Sequence, residues 1–218
     1  MAKGLFITFE GTEGCGKSTQ IELLAKTLRM LGYRVHALRE PGGTPVGEEI
    51  RHTLKHSKAN VVMTPETELL LVNASRVQLV REIIRPALAV GDIVLCDRFY
   101  DSTTAYQGYG RGLDLALVKS VIDFAVGGTR PDLTLFLHLP PEVSAERLLS
   151  RQSILPFIRD RMEEGDKHFF ARVAKGYEAI AAAEPARVRV VDGEGPIDVV
   201  CAKIWEQVQP ILPRVGRW

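Results

Sequence analysis

Gly11-Thr12-Glu13-Gly14-Cys15-Gly16-Lys17-Ser18 is the stretch whose reading decides the fold. It fits G-x-x-x-x-G-K-[ST] without a gap or substitution. Glycines at these positions let the backbone curl until successive N–H groups point inward, and the following helix adds its positive dipole end. Lys17 is then placed to reach outer phosphates, and Ser18 supplies a hydroxyl for Mg²⁺. The flanks agree. Leu5 to Glu10 (LFITFE) is a short apolar, β-branched and aromatic run that reads as a strand. From Gly16 to Met30 the apolar residues Ile21, Leu24, Leu28 and Leu31 recur at the period of a helix lying on a sheet, with Gly32 ending it. A nucleoside triphosphate site is therefore the starting expectation. Cys15 reads as a small residue that fits the loop rather than as a reactive thiol.

Working outward, a chain of 218 residues can bury a full core, and residues 1–218 are most simply one domain. Hydrophobic residues at 45% and charged residues at 25% are those of an ordinary globular protein, and a net charge of +1 gives no overall basic field for nucleic acid. Cys15, Cys96 and Cys201 are isolated and odd in number, which suits a reducing cytoplasm better than a disulfide framework. The N-terminus enters a strand too early for a signal peptide, and no apolar run approaches membrane-spanning length.

Tyr33 to Leu38 alternates as a second strand, and Arg39-Glu40-Pro41-Gly42-Gly43-Thr44 then makes a loop that holds Arg39 at the sheet's rim. Val46 to Lys55 looks helical, with His52 and His56 solvated. Thr64-Pro65-Glu66 opens another helix, which bends or ends near Pro86. On its more apolar side lie Val72 and Arg76, and a buried arginine there requires an anionic or polar partner. Ile93 to Asp97 is a buried-type strand ending in a carboxylate, the form of the second Mg²⁺-organising element of a phosphate-loop protein, and Arg98 follows it. Phe99 to Gly112 (FYDSTTAYQGYGRG) has the composition of a loop that closes over a planar polar ligand. Leu113 to Val126 reads as a helix, Leu133 to Leu139 as a fourth strand and Arg187 to Val191 as a fifth. Arg147, Arg151, Arg159 and Arg161 bracket an irregular insert that reads as a basic lid, about residues 147–161, over a polyphosphate. The expected architecture is α/β: a five-stranded parallel sheet with helices on both faces, its ligand crevice at the carboxyl ends of the first three strands.

FEGTEGCGKSTQ, REPGGTPVGEEIR, Ala74-Ser75-Arg76-Val77-Gln78, DRFYDSTTAYQGYGRG and RPDLTLFLHLPPE, in this order, resemble the bacterial thymidylate kinases over essentially the whole chain. The resemblance implies transfer of the γ-phosphoryl of ATP to the 5′-phosphate of dTMP, with Mg²⁺, by a cytoplasmic homodimer. It implies that Gly11, Thr12, Glu13, Gly14, Cys15, Gly16, Lys17, Ser18 and Thr19 hold ATP, and that Ser18 and Asp97 hold the metal. Arg39 and Arg98 would grip the acceptor phosphate, and Glu13 would meet the deoxyribose 3′-hydroxyl. Arg76 with Ser102, Thr103 and Gln107 would read the thymine edge, and the Tyr106 ring would crowd out a ribose 2′-hydroxyl. Lys17, Asp97, Arg98 and a lid arginine, Arg161 first, would carry catalysis. Two departures stand out. Val72 occupies the position where the family usually stacks a phenylalanine on thymine, and Ser153 to Ile158 replaces a short arginine- and glycine-rich turn. His138 also stands where an acid is frequent in the family, and no role is assigned to it.

The chemistry agrees independently. A phosphate monoester has its second pKa near 6, so the attacking oxygen is already anionic and the site must supply alignment and positive charge rather than a base. Val72 motivates an alternative of the same fold, a kinase acting on another nucleoside monophosphate or on a deoxynucleoside. A guanine-nucleotide switch is disfavoured: N-K-x-D is absent, and the one D-x-x-G match, Asp192 to Gly195, follows the fifth strand.

Overall fold

A computed structural model describes residues 4–140, 142–144, 146–147 and 167–213. Its sheet has five parallel strands, β1 (Leu5–Glu10), β2 (Val35–Arg39), β3 (Ile93–Asp97), β4 (Leu133–His138) and β5 (Val188–Asp192), in the order β2-β3-β1-β4-β5. Between them run α1 (Lys17–Met30), α2 (Pro45–Lys55), α3 (Pro65–Leu79), α4 (Arg85–Ala89), α5 (Tyr100–Thr103), α6 (Leu115–Val126), α7 (Lys167–Ala183) and α8 (Ile197–Val208).

Strand alternation divides the core between two faces. Leu5, Ile7, Phe9, Ile93, Leu95, Leu133, Leu135 and Leu137 pack against α1 and α8. Phe6, Val94 and Cys96 pack against α3, α4 and α6, while Phe136 meets Phe169, Val173 and Tyr177 of α7. Both faces are thus covered, as a buried parallel sheet requires. The same alternation sends Thr8 and Glu10, both fully buried, to the face covered by α7.

Helix starts follow the expected capping chemistry. The hydroxyl of Thr44 accepts the Gly47 N–H and that of Thr64 accepts the Thr67 N–H, each just before a proline in the first helical turn. Two boundaries differ from the sequence reading. The second strand begins at Val35 because the Tyr33 N–H closes the end of α1 on Leu28 O at 3.1 Å. Leu31 lies beyond the last turn of α1 and is exposed, so only Ile21, Leu24 and Leu28 of the proposed stripe are buried. Near Pro86 the helical path does not stop at once but ends at Ala89, with Gly91 at positive φ beyond it. It passes through a π-helical stretch, Val80–Ile84, into α4, and that looser turn accommodates the missing proline N–H.

The largest correction concerns Phe99 to Gly112. It is not an open loop: α5 continues as a π-helix through Thr104–Gly110. The wide turns bring Gly110 against α7, where a Cβ would stand 2.7 Å from the Phe169 ring, and the Arg172 guanidinium donates to Gly110 O at 2.7 and 3.0 Å. Composition alone suggested a loop because glycine and hydroxyl residues disfavour helices locally, and tertiary packing overrides that preference.

Candidate active site

The phosphate loop joins β1 to α1 at the carboxyl edge of the sheet, with Gly11, Gly14 and Gly16 all at positive φ. At Gly11 a Cβ would lie 2.5 Å from Leu137 O, so glycine is required by space as well as by its φ of 138°. Lys17 Nζ donates to Gly11 O and Thr12 O, both at 3.0 Å, and lies 3.5 Å from Cys15 Sγ. The ammonium is therefore held over the loop, nearly buried, by acceptors that a polyanion can replace. Ser18, in the first turn of α1, donates to Asp97 Oδ2 at 2.7 Å. Register explains this contact: Phe9 pairs with Asp97 between β1 and β3, so the strand-end carboxylate faces the helix that follows the loop.

Arg98 is the one non-glycine residue at positive φ among those described, with φ 68°. Its N–H bonds Phe9 O at 2.9 Å, and the left-handed turn directs its side chain across the loop. Nη2 meets Glu13 Oε1 at 2.5 Å and Tyr106 Oη at 3.2 Å; Nη1 donates to Ser102 Oγ at 3.0 Å and Tyr177 Oη at 2.9 Å. Burial pushes the Glu13 carboxyl up, but Arg98, Lys17 and Lys55 together outweigh it and hold it at about 2. Beneath lies Glu10. Its Oε2 accepts Ser102 Oγ at 2.6 Å and Tyr177 Oη at 3.0 Å, and its Oε1 accepts the Phe99 N–H at 2.7 Å. Burial first, then the neighbouring Asp101, raises the Glu10 carboxyl to about 7.

Beside Arg98 opens a narrow cleft lined by Glu40, Pro41, Val72, Arg76, Arg98, Phe99, Ser102, Thr103 and Gln107. Arg76 is buried on its floor with the polar partners its position demanded. Nε and Nη2 meet Glu40 Oε2 at 2.8 and 2.7 Å, Nη1 donates to Asn73 Oδ1 at 2.7 Å, and Nη2 donates to Thr103 Oγ1 at 3.0 Å. The guanidinium also lies over the Phe99 ring, 5.4 Å from its centroid. Gln107 Nε2 donates to Glu68 Oε1 at 2.8 Å, and Glu68 also takes a two-pronged contact from Arg111. The Gln107 carbonyl is thus the end of that amide turned away from Glu68.

The family model for thymidylate kinase matches residues 9–204. A thymidylate kinase of Synechococcus sp. (strain JA-2-3B'a(2-13)) is 46% identical over 209 residues, 96% of each chain, and one of Syntrophotalea carbinolica is 47% identical over 201 residues, 92% of this chain and 93% of that one. The crystal structure of thymidylate kinase from Ehrlichia chaffeensis superposes with a TM-score of 0.76 at 31% identity, covering 95% of this chain and 100% of that one. The chain belongs to the thymidylate kinase family.

Several residues expected to act as thymidylate kinase site residues are brought together here and others are not. Lys17, Ser18, Asp97, Arg98 and Glu13 converge at the loop, while Val72, Arg76, Ser102, Thr103 and Gln107 share the cleft. Arg39 does not line that cleft. Its backbone sits beside Asp97 through β-pairing, but its guanidinium pairs with Glu48 at 2.9 Å and is 46% exposed. Ser102 turns its hydroxyl toward Glu10 and Tyr177 rather than being left for a base edge. Tyr106 is buried under Arg98, its ring centroid 5.0 Å from the guanidinium carbon. Arg147 donates to Gly193 O at 3.2 Å, whereas Arg151, Arg159 and Arg161 lie outside the described residues. For Mg²⁺ the donor set fits: a hydroxyl and a carboxylate already 2.7 Å apart suit a hard cation that takes its remaining ligands from phosphate and water. Among the described residues no group of three or more His, Cys, Asp or Glu side chains is gathered to hold a metal by protein ligands alone.

Glu10, Glu40, Asn73 and Tyr177 escaped the sequence reading. Glu10 left a usable signal, since a carboxylate closing an apolar central strand is the same pattern that identified Asp97. Tyr177 left none, as an aromatic on an amphipathic helix ordinarily reads as core.

Proposed function

We propose that the chain transfers the γ-phosphoryl of ATP to the 5′-phosphate of dTMP, giving dTDP and ADP. The observation that carries this reading is Arg98, which spans from Glu13 of the phosphate loop to the wall of the cleft that also holds Val72, Arg76, Thr103 and Gln107. The same cleft is lined by Arg76, held in a fixed polar frame by Glu40, Asn73 and Thr103.

In the proposed reaction an oxygen of the acceptor phosphate bonds to the γ-phosphorus as the bond to the β,γ-bridging oxygen breaks, its electron pair leaving with ADP. The acceptor is already dianionic, so no side chain need remove a proton. Lys17 and the loop amides would bind the donor phosphates, and Arg98 would bind the acceptor, exchanging its Glu13 contact for phosphate oxygens. Arg39 would join by releasing Glu48, and Arg161 of the lid would meet the transferring group. Ser18 and Asp97 would hold Mg²⁺, which screens charge on the phosphates. Arg76 and Thr103 would donate toward thymine, with Gln107 beside them, and Glu13 would accept from the 3′-hydroxyl. A coupled ADP-release assay across dTMP, dUMP, dCMP and thymidine tests this: dTMP should be preferred, and equal rates for all four would overturn it in favour of a broader kinase.

We further infer a homodimer in a reducing cytoplasm. Leu70 and Ala74 on α3 and Leu117 and Phe124 on the adjacent α6 are exposed apolar residues on neighbouring helices, as a subunit interface needs. The three cysteines are free, and no helix among the described residues is long and apolar enough to cross a membrane. A monomeric mass in sedimentation equilibrium would overturn the dimer.

A further inference from the structure

The two ends of the Arg98 guanidinium are held in different ways. Nη2 pairs with Glu13, a quarter exposed at the rim of the loop. Nη1 points inward, into two hydroxyls that share one buried carboxylate. We propose that Glu10 and Tyr177 are positioning residues for the acceptor phosphate, fixing Arg98 from behind so that its Nη2 edge meets the ligand already oriented. This inference rests on the reading of Arg98 as the acceptor-phosphate residue.

Proton bookkeeping makes the arrangement directional. A hydroxyl has one proton to give. The two oxygens also lie 2.8 Å apart, but Tyr177 and Ser102 can both direct their protons to Glu10 Oε2 rather than to each other, which leaves their lone pairs facing Arg98 Nη1 at 2.9 and 3.0 Å. Without the carboxylate each hydroxyl could rotate and present its proton to the cation instead. Glu10 cannot swing away, because its other oxygen accepts the Phe99 N–H at 2.7 Å and the side chain is fully buried. Nor can Tyr177, whose ring stacks on Phe136 with centroids 5.2 Å apart and planes 19° from parallel. A strand-end carboxylate and a helix phenol, far apart in sequence, thereby fix a side chain that otherwise carries several rotatable bonds.

Tyr177→Phe removes the hydroxyl and keeps the stacked ring. The test measures binding of dTMP and of thymidine by calorimetry at pH 8, with steady-state kinetics in parallel. Thymidine lacks only the phosphate, so a general loosening of the site weakens both ligands, whereas a misplaced Arg98 weakens dTMP alone. The expected result is about a tenfold loss of dTMP affinity, unchanged thymidine affinity, and a rise in the KM for dTMP with that for ATP unmoved. Ser102→Ala, which removes the parallel relay, should act in the same direction, and thermal unfolding of each variant verifies that it is folded. Equal losses for both ligands, or no loss for dTMP, would overturn the proposal. Arg98→Ala separates the two levels: if it weakens dTMP selectively and Tyr177→Phe does not, the positioning role fails and the reading of Arg98 stands. If Arg98→Ala itself spares dTMP, the underlying reading fails.

Discussion

Arg76→Met should destabilise the protein far more than loss of a surface arginine, and the structure sets the size. Arg76 and Glu40 are 2% and 4% exposed, and Glu40 Oε1 has no hydrogen-bond partner among the described residues. Methionine fills much of the volume but leaves Glu40 buried without its cation and Asn73 Oδ1 without its donor. Removing one member of a buried pair costs about 3–5 kcal/mol, and for a chain of this size each kcal/mol moves the midpoint by about 2–4 °C. A fall in Tm of about 10 °C is expected by scanning calorimetry. Burial already raises the Glu40 carboxyl and Arg76 opposes that rise, so losing Arg76 lifts it further. The sign follows: a raised carboxyl gives stability that is present below its ordinary value of 4.5 and lost as pH climbs through its folded value, so the deficit should be larger at pH 8 than at pH 4. Adding Glu40→Leu should recover most of the loss, because an apolar pair of similar volume is tolerated where a lone charge is not. A fall of less than about 3 °C, or a double variant no more stable than the single, would refute the claim that this pair is buried and charged.

Arg98→Ala should abolish turnover while ATP binding persists; loss of ATP binding with dTMP affinity intact would contradict its assignment to the acceptor. Val72→Phe should tighten dTMP binding, since stacking on a base is worth about 1–3 kcal/mol, at some cost in Tm from overpacking a nearly buried position. Unchanged affinity would mean that Phe99 or another ring already covers the base. The Glu13 carboxyl, held at about 2 against an ordinary value of 4.5, contributes stability that is present above about pH 4.5 and lost as pH falls toward 2. Urea midpoints measured at pH 6 and pH 3 should therefore fall less steeply in Glu13→Gln than in the parent, and equal slopes would show that the pair with Arg98 contributes nothing.

The phosphate loop, the strand ending in Asp97 and the capped start at Thr64 were legible because each is specified by local rules: glycine conformations, an apolar run closed by a charge, and a hydroxyl before proline. Arg76 was legible in a different sense. Its position on the apolar side of a helix required a partner, but which carboxylate supplies it depends on how β2 and α3 pack, and no spacing in the sequence encodes that Glu40 is the one. The helical form of Tyr100 to Gly110 was illegible for the complementary reason, since its glycines are explained only by side chains from other helices, Leu115 of α6 against Gly108 and Phe169 and Val173 of α7 against Gly110. Ser102 shows the limit most clearly. The motif marks it as a site residue, yet its contact with Glu10 and Tyr177 arises from three segments meeting in space.

Exposure orders the charged pairs of the site by the task each can perform. Arg39 and Glu48, 46% and 44% exposed, are cheap to separate, because water screens both partners when they part. Arg98 and Glu13, at 13% and 25%, are intermediate, and a phosphate dianion arriving at Nη2 offers more charge than the carboxylate it displaces. Arg76 and Glu40 are too buried to open without leaving a charge stranded. Binding of an anionic ligand should therefore exchange the first pair, compete with the second and leave the third intact. Under the proposed roles Arg39 and Arg98 would be the adaptable cations that meet phosphates, and Arg76 would be a rigid, fully partnered guanidinium suited to a neutral base edge. An arginine free to move at the base end would grip any anion, so the burial that makes Arg76 costly to remove is also what would make it selective.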